Sequence, residues 1–221
     1  SKLIDCPKPV SFISNDDTCF LIKEYVEGKT LKERVEENVL SDRKIIDIIS
    51  KLSDDIAKLH SSEPPIILRD IKPENIIEAN NEYILIDFDS SREYDETANS
   101  DTEYVGTRAT AAPEQFGYSQ TDARTDIYAL GMLMLYMKTA GFDRDAPVTS
   151  KLDRVIKKCI AFSPNERYAS VSDLKKALNF KTKTALIAVI SAVAAISLTA
   201  LICVGIFKAS AFDISGDEFT Y

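Results

Sequence analysis

The segment that most constrains this chain is a short polar cluster set between two apolar runs, residues 66–68 and 76–77. The cluster carries an acid, a base and an amide close together: Asp70, Lys72 and Asn75. A carboxylate can accept a proton from a hydroxyl group, and an ammonium group can neutralise a moving phosphoryl group. An amide can offer a metal ion a neutral oxygen. The spacing therefore predicts a compact phosphate-and-metal site.

A further carboxylate follows this cluster along the chain. Residues 83–86 are apolar and predict a short β-strand, which ends at Asp87. A strand in this position would deliver a second carboxylate of the kind that metals bind.

Composition limits the classes of partner. The chain has 221 residues, enough for one sizeable core with an appendage, and its hydrophobic content of 45% argues against disorder. The net charge of −8 does not favour a nucleic-acid partner.

Hydrophobic periodicity predicts a mixed α+β chain. A β-hairpin is expected near the N-terminus, over residues 9–25, and a long polar loop over residues 90–112. The expected helices cover residues 31–37, 41–60, 126–137, 151–160 and 170–178. Ser41 is expected to cap the second of these helices.

An uncharged apolar run over residues 185–207 predicts a transmembrane helix. At ~1.5 Å per residue it spans roughly 34 Å, which is enough to cross a hydrocarbon core of ~30 Å. Lysines precede the run, so the positive-inside rule predicts a single-pass protein of the cell membrane with its main domain in the cytoplasm. Residues 208–221 would form a short extracytoplasmic tail. The alternatives are a buried core helix and a soluble chain.

Six motifs in order resemble those of a bacterial (Firmicutes-like), eukaryotic-type Ser/Thr protein kinase, and the resemblance covers residues 9–178. They correspond to the hinge, the catalytic loop, a DFG-type magnesium loop, the end of the activation segment, the central helix of the C-lobe and a late Arg motif. In this sequence they read KEYVEG (23–28), LRDIKPEN (68–75), DFD (87–89), GTRATAAPEQ (106–115), DIYALG (126–131) and PNERY (164–168).

The resemblance implies a kinase-like fold with a mainly helical C-lobe and a residual N-lobe hairpin, followed by one transmembrane helix. Residues 1–28 would form the hairpin and hinge, and residues 29–180 the C-lobe. Residues 185–207 would cross the membrane, and residues 208–221 would form the tail.

The resemblance also implies catalytic roles. Asp70 would orient or deprotonate the substrate hydroxyl, Lys72 would steady the transferred phosphoryl group, and Thr107 would bridge the activation segment to Asp70. Asn75 and Asp87 would hold Mg²⁺. The partners implied are ATP and protein substrates with Ser or Thr, and a homodimer is left open.

Nucleotide binding is expected at the hinge. The backbone of Glu24 and Val26 would hydrogen-bond adenine, and Ile77 would pack beneath the ring. Asp87 would contact the nucleotide through the metal.

Other residues are assigned to regulation and structure by the same resemblance. Arg69 would pair with a phosphate on the activation segment, with Thr97, Ser100 and Thr102 as acceptors; plain solvated loop residues are the alternative. The structural set is the ion pair Glu114–Arg167 and the loop anchor Asp126.

Several departures bear on activity. No glycine-rich loop with its strand lysine precedes the hinge, so this chain alone is expected to be inactive. Leu68 replaces the usual His, Asp89 replaces the Gly of DFG, and Lys23 stands at an ordinarily apolar gatekeeper position. Two interpretations follow: an N-terminally truncated fragment of a kinase, or a membrane-tethered pseudokinase that serves as a binding or scaffold module. His60, the one histidine, is interpreted as a solvated or capping residue.

Overall fold

A computed structural model describes residues 4, 6–15, 18–94, 106–117, 120–179, 196, 197 and 199. The chain separates into two units, Ser1–Leu178 and Asn179–Tyr221. The strands of the first unit are β1 (Pro9–Ser14), β2 (Cys19–Lys23), β3 (Lys29–Thr30), β4 (Ile66–Ile67), β5 (Ile76–Ala79), β6 (Glu82–Leu85) and β7 (Arg92–Glu93). Its α-helices are α1 (Leu31–Glu37), α2 (Asp42–His60), α3 (Ala123–Thr139), α4 (Lys151–Cys159) and α5 (Val171–Leu178).

The predicted N-terminal hairpin is present as the antiparallel pair β1 and β2. Its strands carry large apolar side chains that are exposed to solvent, among them Val10, Phe12 and Phe20. Tyr25, just after the hairpin, is 89% exposed. The register pairs Phe12 with Leu21 and Ile13 with Phe20, so each face of the hairpin carries exposed apolar side chains.

A second sheet carries the order β3-β5-β6, with both pairs antiparallel. The β5–β6 turn contains Asn80 and Asn81 at φ of 50° and 65°, a region that Asn tolerates better than most residues. Within the hairpin Ile76 pairs with Leu85. This register brings the residues just before β5 and just after β6 side by side, and those residues include Asn75 and Asp87.

Helix α2 matches the predicted amphipathic helix. Ser41 is its N-cap and accepts a hydrogen bond from the backbone N–H of Lys44. Its apolar face is buried, including Ile45, Ile49 and Ile56. Burying this face gives the helix most of its stability.

Helix α3 is the centre of the core, as its apolar sequence predicts. Every residue from Thr125 to Met137 is buried, because apolar side chains surround the helix axis. At Gly131 an added Cβ would lie 2.6 Å from the Cβ of Cys159, so only glycine allows α4 to approach this closely.

Among the described residues, no helix has the length and apolarity needed to cross a bilayer. The predicted membrane segment, residues 185–207, and the tail at residues 208–221 lie outside the described residues, apart from 196, 197 and 199. The membrane helix therefore stays a prediction.

Candidate active site

The backbone before Asp70 is anchored by a carboxylate from α3. Asp126 is fully buried and accepts hydrogen bonds from the N–H of Leu68 (2.9 Å) and of Arg69 (2.8 Å). Arg69 has φ of +65°, a left-handed conformation that costs a non-glycine residue about 1–2 kcal/mol. The two hydrogen bonds to Asp126 offset this cost and fix the direction in which Asp70 leaves the loop.

His60 lies against the same carboxylate, and its interpretation as a solvated or capping residue is wrong. Its side chain is only 9% exposed, and Nε2 lies 2.8 Å from Asp126 Oδ2. Because a carboxylate only accepts, Nε2 carries the proton and donates it. The sequence did hold a signal: His60 lies four positions after the buried Ile56, on the apolar face of α2.

The carboxylate of Asp70 is held from two sides. Its Oδ1 accepts hydrogen bonds from the hydroxyl (2.9 Å) and the N–H (3.1 Å) of Thr107. Its Oδ2 lies 2.5 Å from Lys72 Nζ, which also donates to Thr107 Oγ1 at 3.2 Å. The three side chains predicted to act together thus form one hydrogen-bonded cluster. Asp70 retains 12% exposure and Lys72 22%, so the cluster opens to solvent.

Asn75 and Asp87 meet at the end of the β5–β6 hairpin. Asn75 Nδ2 lies 3.5 Å from Asp87 Oδ2 and donates to the Asp70 carbonyl at 3.3 Å. With the nitrogen turned this way, the amide oxygen is the atom that a metal would take. An amide oxygen and a carboxylate side by side fit Mg²⁺, which usually takes one or two protein ligands plus phosphate oxygens. In the described part of the chain no group of three or more His, Cys, Asp or Glu residues could hold a metal alone.

The structure brings two of the sequence departures together. Lys23 Nζ, at the end of β2, lies 3.8 Å from Asp89 Oδ1 in the magnesium loop. The N–H of Asp89 in turn donates to Asp87 Oδ1 at 3.0 Å. The unusual gatekeeper cation thus faces the unusual loop anion, a pairing that the sequence pattern did not suggest.

Two of the residues predicted to bind the nucleotide line one cavity. Glu24 and Val26 line a cavity of about 350 Å³ together with Tyr83 and Ile84. Neither Ile77 nor Asp87 is among the residues that line this cavity. The backbone N–H of Glu24 donates to the Lys8 carbonyl, which ties the hinge to the segment before β1.

The end of the activation segment carries a buried ion pair. Arg167 and Glu114 form two parallel hydrogen bonds of 2.7 and 2.8 Å, and their side chains are 0% and 3% exposed. The hydroxyl of Thr125 donates to the same carboxylate at 2.8 Å. The pair joins the activation segment to the loop before α5, and Asp70 is not among the hydrogen-bond partners of either side chain, which fits a structural role.

Arg69, the predicted phosphate partner, donates from Nε to the Ser90 carbonyl at 2.7 Å. Thr97, Ser100 and Thr102 lie outside the described residues. Their predicted regulatory role therefore stays a prediction.

Comparison with known families bears on what this cluster is. The profile of the protein kinase domain matches residues 8–177, which is most of the chain. This chain belongs to the protein kinase family. The matched range contains the whole Asp70 cluster, both metal-type ligands and the buried ion pair, so the kinase motifs and the geometry coincide.

Similar kinases are bacterial. Serine/threonine-protein kinase D of Synechocystis sp. is 32% identical over 197 residues, covering 78% of this chain and 38% of that protein. Serine/threonine-protein kinase PknB of Mycolicibacterium smegmatis is 31% identical over 184 residues, covering 71% of this chain and 29% of that protein. The chain thus spans well under half the length of these relatives.

Two residues of this chain were missed by sequence reasoning besides His60. Glu78 accepts from Arg34, Lys44 and the Tyr83 hydroxyl. Burial opposes ionisation of Glu78, but these donors outweigh it and lower the pKa of its carboxyl. The other is Gln115, which is 2% exposed and contacts the catalytic loop. Neither residue stands in a pattern that predicts its partners.

Proposed function

We propose that this chain is the C-lobe part of a membrane-anchored protein serine/threonine kinase that transfers a phosphoryl group from ATP to Ser or Thr of proteins. One observation carries the proposal: Asp70, Lys72 and Thr107 form a single hydrogen-bonded cluster at an anchored loop. A carboxylate, an ammonium and a hydroxyl in this arrangement suit transfer between oxygen atoms.

Each side chain of the cluster has a chemical task in such a transfer. Bound Mg-ATP would supply the phosphoryl group and the divalent charge that screens it. Asp70 accepts the proton of the attacking Ser or Thr hydroxyl, while Thr107 holds the other carboxylate oxygen in place. The ammonium of Lys72, already within 2.5 Å of Asp70, neutralises negative charge that develops beside it. Asn75 and Asp87 would hold the Mg²⁺ ion.

The exposed apolar hairpin supports the fragment interpretation. Phe12 and Phe20 are 64% and 60% exposed. A two-stranded hairpin that leaves such large apolar side chains in water has little burial to stabilise it. A glycine-rich, lysine-bearing N-lobe segment encoded upstream would cover these side chains and supply the phosphate contacts. The apolar run over residues 185–207 would anchor the domain to the cell membrane, with the kinase domain in the cytoplasm.

Phosphorylation of Thr97, Ser100 or Thr102 would regulate this kinase. Arg69 adjoins Asp70 in the sequence, so a phosphate drawn to its guanidinium would act on the loop that carries the base.

The test is transfer of labelled phosphate from ATP to protein by a product extended upstream to include an N-lobe. Asp70→Asn should lower transfer by a factor of about 10³ or more, since the base is lost. Asp173→Asn, the same chemical change on the surface of α5, should leave transfer intact.

Two outcomes would overturn parts of the proposal. Transfer no higher than that of Asp70→Asn would favour the pseudokinase. If the protein fractionates with membranes equally with and without residues 185–207, the proposed membrane anchor is wrong, while the proposed phosphoryl transfer is unaffected.

A further inference from the structure

Arg69 is held through the peptide groups on both of its sides. Arg69 holds φ of +65°, and Asp126 accepts from its N–H on one side. On the other side the Arg69 carbonyl accepts a hydrogen bond of 2.8 Å from Gln115 Nε2. A strained residue persists only where its surroundings hold it, and Gln115 is one of the residues that hold Arg69.

The two ends of the Gln115 amide face different segments. While Nε2 donates to Arg69, Oε1 accepts from the N–H of Ala112 at 2.9 Å. Both Gln115 and Ala112 are buried, so water does not readily replace either contact. A carboxyl of this length donates only when it is protonated, whereas an amide offers a donor and an acceptor at every ordinary pH, and the two contacts fix the orientation of the Gln115 amide.

The space for this contact depends on Gly106. A Cβ at Gly106 would lie 2.7 Å from Gln115 Nε2 and 3.2 Å from the Arg69 carbonyl oxygen. Gly106 also has φ of +125°, which side-chain-bearing residues rarely adopt. The backbone one residue before Thr107 is therefore shaped around the Gln115–Arg69 contact.

We propose that Gln115 is a positioning residue, which fixes the end of the activation segment at Ala112 relative to the loop that carries Asp70. The link rests on the proposed function only in that Asp70 is the base and the segment faces the substrate. A substrate hydroxyl must meet Asp70 within hydrogen-bonding reach, and an error of about 1 Å can cost a factor of 10² in rate.

Hydrogen exchange at single amides of the full chain tests the link without any need for activity. Gln115→Met keeps the length of the side chain and removes both hydrogen bonds. Exchange at Ala112 should become about tenfold faster, and the N–H groups of Leu68 and Arg69 should follow by a similar factor. Exchange in α2 and α5 should not change, and Gln120→Met, the same change at the other glutamine of the chain, should leave all of these rates unchanged.

Gln115→Glu separates the two ends of the amide. It keeps the acceptor for Ala112, while the group facing the Arg69 carbonyl donates only when the carboxyl is protonated. Exchange is measured from about pH 5 to about pH 9, a range that covers the titration of buried carboxyls. After correction for the intrinsic exchange rate at each pH, protection of the Leu68 and Arg69 amides should fall as pH rises. Protection at Ala112 should persist.

Three results would overturn the proposal. They are unchanged exchange at Leu68 and Arg69 in Gln115→Met, equal acceleration throughout the chain, and pH-independent protection in Gln115→Glu.

In an active extended kinase, Gln115→Met should lower kcat about tenfold with the KM for ATP unchanged. If exchange responds as expected but no phosphoryl transfer occurs, the kinase proposal fails and the positioning link stands.

Discussion

The ion pair of Arg167 offers the sharpest test of how this fold is stabilised. Its guanidinium is fully buried, and all of its N–H groups donate hydrogen bonds: two go to Glu114, and three go to carbonyl oxygens. The carbonyls belong to Ala161 (2.9 Å), Phe162 (3.0 Å) and Arg124 (3.0 Å). One side chain therefore joins the activation segment, the start of α3 and the loop before α5.

Arg167→Met removes the charge and keeps much of the apolar stem. Within the described part of the chain, the Thr125 hydroxyl is then the one donor left to the buried carboxylate of Glu114. Breaking a buried pair from one side costs about 3–5 kcal/mol. We therefore expect a loss of about 4 kcal/mol, a large share of the ~5–15 kcal/mol that stabilises a typical domain.

Urea unfolding of the full chain, followed by circular dichroism, measures this loss. Arg34→Met is the matched control, because Arg34 is 40% exposed and its pair with Glu78 should be worth below ~1 kcal/mol. Adding Glu114→Leu to Arg167→Met removes the stranded charge and should restore about 2 kcal/mol. A loss below ~1 kcal/mol for Arg167→Met, or no recovery in the double variant, would refute the reasoning.

Three further predictions concern other contacts. In a double-mutant cycle of unfolding that exchanges the charges of Lys23 and Asp89, the coupling energy should be below ~1 kcal/mol and should vanish at high salt, because Asp89 is 84% exposed. A stronger or salt-independent coupling would contradict this. Gly106→Ala should destabilise the chain by roughly 2–4 kcal/mol in urea unfolding, from backbone strain and overpacking, and a neutral effect would contradict the close approach. Burial opposes ionisation of Asp153, but hydrogen bonds from Lys138 and backbone N–H groups outweigh it and lower its pKa below 3.8. A carboxyl whose pKa is lowered by folding stabilises the fold at pH values above its ordinary pKa and loses this effect as the pH falls. The stability lost in Asp153→Asn should therefore be largest near pH 7 and shrink as pH falls below about 4. A loss that does not change with pH would contradict the assignment.

The helices could be predicted because the spacing of their apolar residues shows which positions are buried. The apolar positions of α2 recur with helical spacing, and α3 is apolar on every side. The pairing of β4 with β7 could not be predicted, since each strand has two residues and their partners lie far apart in the chain. Two residues carry no periodicity, and only tertiary packing selects their partners.

The candidate site divides in the same way. Asp70, Lys72 and Asn75 lie close in sequence, so their spacing alone predicts that they share a site. The contact of Gln115 with Arg69 spans 46 positions, and a polar residue in such a place has no local signature. His60 was misread because an isolated histidine at a helix end is commonly solvated, whereas here α3 presents a buried carboxylate to it.

The groups that hold Asp70 come from one part of the domain. Asp126, Gln115 and Thr107 come from α3 and the activation segment, and all three belong to the C-terminal part of the domain. None of these contacts involves the β1–β2 hairpin, so the orientation of Asp70 does not depend on the apolar surface that the hairpin leaves exposed. An N-lobe segment would then add nucleotide and phosphate contacts to a base that is already positioned. Adding an upstream N-lobe segment should therefore raise ATP affinity strongly while leaving amide exchange at Leu68 and Arg69 unchanged. A large change in exchange at those two amides would instead mean that the N-lobe helps to build the catalytic loop.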